Sequence, residues 1–179
     1  MINSVTQQLL PGERIEWEGK PYFGLIFRPI DLFLVPFSLF WGGFAVFWNA
    51  SVWSMDADLS FNLFGLPFMA AGLYVTIGRF LIDISLRKKM IYFVTNKRIL
   101  ISKRSSGSST KSLDIGRLPA LEFDERSDGS GTIRFGASGG WLSGNNFGIW
   151  QPTFDPTPQF IRIANVRSVY ELIQKQSDR

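Results

Sequence analysis

The sequence predicts a two-part protein: an α-helical membrane hairpin of two spans, joined to a mainly-β domain that ends in one helix. Three observations carry this. Two apolar runs, Leu32 to about Ala50 and Leu59 to about Ile77, each have close to the roughly twenty residues an α-helix needs to cross a bilayer core. From Met90 the pattern changes to short alternating segments separated by turn residues, as expected of strands. At the C-terminus Val166, Val169, Tyr170 and Ile173 recur at the spacing of one helix face.

Residues 1–29 form a lead segment. Its mixed composition lacks the basic-then-apolar layout of a cleaved signal, so the first span is expected to serve as an uncleaved anchor. Leu9-Leu10-Pro11-Gly12-Glu13 ends in a turn signal, and Ile15-Glu16-Trp17-Glu18-Gly19 alternates like a short strand or sheet edge. Pro21 and Pro29 interrupt the chain beyond that strand, and Ile26 to Asp31 is placed at the membrane surface.

Residues 30–86 form the hairpin, with a short loop at 51–58. That loop carries Asp56 and Asp58 and no Lys or Arg, whereas Arg14, Lys20 and Arg28 precede the first span and Arg79, Arg87, Lys88 and Lys89 end or follow the second. Positive flanks stay inside, so both termini are expected in the cytoplasm and the loop outside. Trp48 and Trp53 fall near the outer interface, and Trp41 near mid-bilayer, packed between helices. The second helix is expected to run from Leu59 to Leu86, beyond the bilayer. Arg79 and Asp83, four apart, can face each other there as a solvated pair. Gly65, Gly72 and Thr76 on one span, and Gly42, Gly43 and Ala45 on the other, offer small-residue patches for close approach. They serve packing within the hairpin or a homo-oligomer.

Residues 87–179 form the second unit, about ninety residues, enough for one small domain with a core. Met90–Thr95 and Arg98–Lys103 read as strands about an Asn96-Lys97 turn. Ser105 to Ser109 reads as a loop, Lys111–Ile115 and Leu121–Arg126 as further strands. Asp128-Gly129-Ser130-Gly131 is a hairpin turn, returning through Thr132–Phe135 with Ile133 and Phe135 facing in. Gly136 to Pro158 reads as a long loop with one short strand near 147–150. Phe160–Ile163 is the final strand, and Asn165 is expected to cap the last helix. In the loop, Trp141, Phe147, Trp150 and Phe154 either plug the sheet or meet a partner.

Several of these segments together resemble the membrane-anchored bacterial proteins that carry a Pleckstrin-homology-like domain of unknown function. The resemblance rests on Pro11-Gly12-Glu13-Arg14-Ile15 with Trp17, Gly19 and Pro21, then on Tyr92-Phe93-Val94-Thr95-Asn96-Lys97-Arg98-Ile99-Leu100. Ser112-Leu113-Asp114, Gly129 to Phe135, Phe160-Ile161-Arg162-Ile163 and Val169 to Ile173 complete it. The stretch Trp141 to Pro158 is longer than that pattern. The resemblance implies a curled seven-stranded antiparallel sheet capped by a C-terminal helix, held at the cytoplasmic face of a bacterial inner membrane. It implies no chemistry, because a fold does not fix a function.

Composition narrows the functions further. The 179 residues include no cysteine and no histidine. Thiol nucleophiles, Ser-His-Asp triads and His/Cys zinc sites are excluded, and no phosphate-cradling loop or dinucleotide fingerprint is present. No catalytic residue, cofactor or metal is therefore expected, and the chain is read as a non-enzymatic binding or scaffold protein. The net charge of +4 points to a membrane surface rather than to nucleic acid. Arg87, Lys88, Lys89, Lys97, Arg98, Lys103 and Arg104, with Lys111 nearby, form the candidate surface. It would meet anionic lipid headgroups or dock a protein of a membrane complex, or it satisfies the positive-inside rule alone. The alternative function is an oligomeric small channel or transporter accessory subunit, for which Asn62 and Ser38 are the polar groups at membrane depth.

Overall fold

The computed structural model describes residues 9–55, 58–104, 108–136, 153 and 155–178. Helix α1 spans Asp31–Trp53. Helix α2 spans Leu59–Arg87, starting from an Asp58 cap whose carboxylate accepts the Leu59 amide. Both are long and apolar enough to cross a membrane. They pack antiparallel along one seam of small and polar residues. Leu34, Ser38, Ala45, Asn49 and Val52 are buried on α1, at the three- and four-residue steps of a helix pair.

Close approach is fixed at two glycines of α2. A Cβ on Gly72 would lie 3.1 Å from Gly42 Cα, and one on Gly65 would overlap the Asn49 carboxamide. Gly43 faces open space. The small-residue patches thus serve the contact within the hairpin. Trp41 sits in the pair, edge-on to Phe68 at 6.1 Å. Near its C-terminal end α2 contains a π-helical turn, Tyr74–Gly78, followed by α-helix over Arg79–Arg87.

The seven strands seen among the described residues are β1 Ile15–Gly19, β2 Met90–Thr95, β3 Arg98–Arg104, β4 Ser108–Asp114, β5 Leu121–Glu125, β6 Gly131–Phe135 and β7 Gln159–Ile163. They divide into two antiparallel sheets, β1-β2-β3-β4 and β5-β6-β7, rather than one curled sheet. The division falls where a 3-10 turn over Ile115–Arg117, with Asp114 accepting the Gly116 amide, redirects the chain after β4. Strand β4 also begins at Ser108, inside the segment expected to be loop, because its serines pair with Arg104 and Lys103 of β3. The strand expected near 147–150 and the aromatic stretch around it lie outside the described residues, apart from Thr153 and Asp155 to Pro158.

Strand β1 belongs to the lead, yet it pairs with β2 through Trp17↔Val94, Glu18↔Phe93 and Gly19↔Tyr92. The whole hairpin is therefore an insertion between two neighbouring antiparallel strands. Between the sheets, Tyr92, Ile99, Ile133, Phe135, Phe160 and Ile163 are almost completely buried. Phe160 stacks on Tyr92 at 4.6 Å and meets Phe135 edge-on at 5.0 Å. The Tyr92 hydroxyl accepts the Ile161 amide, and burial pushes its phenol pKa up.

Helix α3, Val166–Ser177, covers one end of the sandwich with Val166, Val169 and Ile173 buried, while Tyr170 stacks on Phe123 at 4.5 Å. Asn165 stands at its start, but its side chain makes no capping bond. The residue is in the left-handed conformation, φ 49, a geometry asparagine tolerates, and its carbonyl accepts the Val169 amide instead.

Candidate functional site at the junction of hairpin and sheets

One face of α2 continues past the apolar span as Arg79, Asp83 and Arg87, spaced one turn apart and all buried. The expected Arg79–Asp83 surface pair does not form. Arg79 instead bonds Asp31 at the start of α1, at 2.6 Å. Asp83 bonds Arg87 at 2.7 Å, with both side chains less than a tenth exposed. The α2 face is turned towards α1 and the lead, so Arg79 finds a partner that sequence spacing does not reveal, while Asp83 takes the other residue four positions away, Arg87. A buried ion pair is tolerated only when its remaining donors and acceptors are also used. Here Asp31 accepts the Arg28 amide at 2.7 Å. Asp83 accepts the Thr153 hydroxyl at 3.0 Å.

Arg87 is the hub. It donates to Asp83 through Nε, to the Tyr22 carbonyl through Nη1, and to the Gly24 carbonyl through Nη2 at 2.9 Å. These carbonyls belong to an irregular strap, residues 20–30, that runs from β1 to α1. The Tyr22 amide donates to the Arg162 carbonyl of β7 at 3.0 Å, and the Arg162 guanidinium lies over the Tyr22 ring at 4.3 Å. One guanidinium, whose planar fork can serve three acceptors at once, thus ties the strap to α2, and Tyr22 ties the strap to β7.

A second junction joins the lead to the far end of the first sheet. Gly12, at φ +72, makes a turn open to few residues other than glycine. It presents Glu13, buried, to Arg98. The carboxylate takes Arg98 Nε at 2.9 Å and Nη2 at 3.0 Å. It also takes the Leu10 amide at 2.6 Å and lies 2.8 Å from the Thr95 hydroxyl. Burial pushes the Glu13 pKa up, but the bonds from Arg98, Leu10 and Thr95 outweigh it and leave the carboxyl below its usual range. Lys97 Nζ donates to the Pro11 carbonyl at 2.7 Å, and Asn96 exchanges bonds with Gly12 and Arg14. Pro11-Gly12-Glu13-Arg14 and Thr95-Asn96-Lys97-Arg98 are therefore two halves of one interlocked structure.

The basic residues singled out in the sequence do not share one surface. Arg87 is buried because its guanidinium is used by the strap. Arg98 is half-buried against Glu13. Lys88 and Lys89 are exposed at the end of α2. Lys97 is exposed at the β2–β3 turn, whereas Lys103 sits at the other end of β3, opposite Met90, about 20 Å away at the rise of a strand. The Arg104 side chain lies outside the described part of the structure. Lys103 and Lys111 line a cleft of about 120 Å³ between Ile101 and the segment Asp155–Gln159. That cleft opens at the hairpin end of the sandwich, where β2 begins three residues after α2.

Within the hairpin, Ser38 is buried, as a polar group at membrane depth would be. Asn49, which the sequence reading did not single out, is buried as well, and Thr76, read there as a small packing residue, is half-buried. Asn49 donates to the Ala45 carbonyl at 2.7 Å. Thr76 Oγ lies 2.7 Å from the Gly72 carbonyl and 3.1 Å from Ser38 Oγ. The signal for them was present: both fall on the seam spacing. Asn62 is half-buried near the loop, its carbonyl 3.4 Å from the Trp53 indole nitrogen. Among the described residues no group of three carboxylate, His or Cys ligands converges as a metal site. Comparison with protein-family models, curated proteins and solved structures finds no match for this chain.

Proposed function

We propose that this chain is a two-span protein of a bacterial cytoplasmic membrane, carrying a Pleckstrin-homology-like domain on the cytoplasmic side as a non-enzymatic binding or scaffold module. The observation that carries the reading is inverted packing in the hairpin. Large apolar side chains point outward, with Leu32 84%, Phe40 80% and Phe47 68% exposed, while serine, alanine, asparagine and glycine are inside. Such a surface is costly in water and natural in lipid, where helices associate through small residues rather than by hiding apolar ones. The flanking cations supply the orientation, with both termini inside.

The Arg87 junction supports a scaffold role. Arg87 binds strap and helix together, so the position of the sheets follows the position of α2. A partner docking on exposed Lys88 and Lys89 would meet a domain held at a set height under the bilayer. Ser38, Asn49 and Thr76 use their hydrogen bonds within the hairpin itself, which favours packing over conduction.

Two reporters test the reading. A phosphatase fused in the 54–58 loop should be active outside, and a fluorescent protein after Arg179 should fluoresce inside. The opposite pattern, or release of the chain by alkaline carbonate, would overturn it. Cross-linking in intact cells followed by purification of the native chain and of a Lys88→Ser/Lys89→Ser variant tests the scaffold role: a membrane complex lost in the variant supports docking, and one kept unchanged would overturn docking at this face.

A further inference from the structure

We infer that the strap between β1 and α1 is an in-plane membrane anchor, with its outer edge seated in the interfacial layer of the bilayer. The inference rests on the membrane reading above and extends it to a segment that does not span. Phe23, Leu25 and Phe27 are 42%, 50% and 60% exposed, and Ile30 is 36% exposed. Between them Ile26 turns inward onto the sheet core. A short irregular segment thus shows one apolar edge to the outside and one to the domain.

Three further observations select lipid as the occupant. First, the apolar edge is continuous with that of the hairpin: it runs into Leu32 and Phe33 on α1. It also meets α2 through the Phe27–Phe80 ring contact at 5.5 Å, beside exposed Leu81 and Ile82. Second, irregular backbone near hydrocarbon needs polar groups satisfied from within the protein, and several of the strap's are. Buried Arg87 takes the Tyr22 and Gly24 carbonyls, and Asp31 takes the Arg28 amide. Third, the strip is rimmed by exposed Lys20, Lys88 and Lys89, the arrangement of a segment lying at an anionic surface with its cations in the headgroups. The domain is then held at three places: two helix ends and the strap.

The absence of cysteine makes the test clean. Single variants Phe23→Cys and Phe27→Cys, with Phe44→Cys on α1 and Asn96→Cys at the distal turn as references, are spin-labelled in vesicles of phosphatidylethanolamine and phosphatidylglycerol. Collision with oxygen is compared with collision with a water-soluble nickel chelate. The strap labels should collide several-fold more with oxygen than with the chelate, like Phe44→Cys and unlike Asn96→Cys. Strap labels that follow Asn96→Cys while Phe44→Cys stays in lipid would overturn this inference alone. A Phe44→Cys label open to the chelate would overturn the membrane reading beneath it. Immobile strap labels shielded from both reagents would show that protein, not lipid, covers the strip, and would also overturn it. Leu25→Cys reports from the same edge should either strap variant fail to fold.

Discussion

The hairpin and the sheet domain solve the same packing problem in opposite senses. In the sheets, Tyr92, Phe135 and Phe160 are inside, and Glu122, Asp124 and Lys111 are out. In the hairpin, phenylalanines and leucines are out and glycine, serine and asparagine are in. On the membrane reading proposed above, one chain uses two rules, because burial stabilises only relative to the surrounding solvent. In water, apolar area removed is worth roughly 25 cal/mol per Å². In lipid that gain vanishes, and contact distance and internal hydrogen bonds decide. The junction is where the rules meet, and there the chain uses buried ion pairs.

Four substitutions and one double variant would break or sharpen this contrast, each read by unfolding of the purified full chain in mild detergent. Phe160→Ala should cost about 3–5 kcal/mol, because it empties the centre of the sheet core. Phe47→Ala, the same truncation on the outward face of α1, should cost less than about 0.5 kcal/mol; equal losses would erase the contrast.

Arg87→Met should cost about 3–5 kcal/mol, since Asp83 and two strap carbonyls lose a buried donor. Pairing it with Asp83→Asn should recover part of that loss, and strict additivity in the double-mutant cycle would mean the pair is not coupled. Gly72→Val should cost about 1–3 kcal/mol by forcing the helices apart at Gly42, with the sheet core unaffected as judged by near-ultraviolet dichroism.

A pH-dependent effect is expected at Glu13. Its folded pKa lies below the ordinary value, so its contribution is fully present above the unfolded pKa. It is lost as pH falls through the folded one. Glu13→Gln should lower stability at pH 7 by about 1–3 kcal/mol and flatten the acid limb below about pH 4.5. An unchanged limb would assign the acid sensitivity elsewhere.

Much of the fold was legible because it rests on local periodicity. The two apolar helices, the strands at Met90–Thr95 and Thr132–Phe135, the Asp128–Gly131 turn and the inward set Val166, Val169 and Ile173 are each written in spacing. The junction was not. Asp83 sits four from both Arg79 and Arg87, and spacing alone does not choose between them; the structure pairs it with Arg87 and gives Arg79 to the distant Asp31, because the face they share is turned inward. The basic cluster looked continuous because its members are near in sequence. A strand carries Lys97 and Lys103 to opposite ends.

The sequence by itself determined the elements, the apolar lengths, the absence of thiol and imidazole chemistry, and the charge asymmetry across the spans. Each is a property of composition or of neighbours within a few residues. Only the tertiary structure decided that the lead supplies the first strand of the sheet, that the hairpin is inserted between two paired strands, and that one guanidinium ties the strap to the helix. Glu13 and Arg98, eighty-five positions apart, meet only because β1 runs back along β2. Contacts at that separation depend on how whole elements pack, and no local pattern in the chain encodes them.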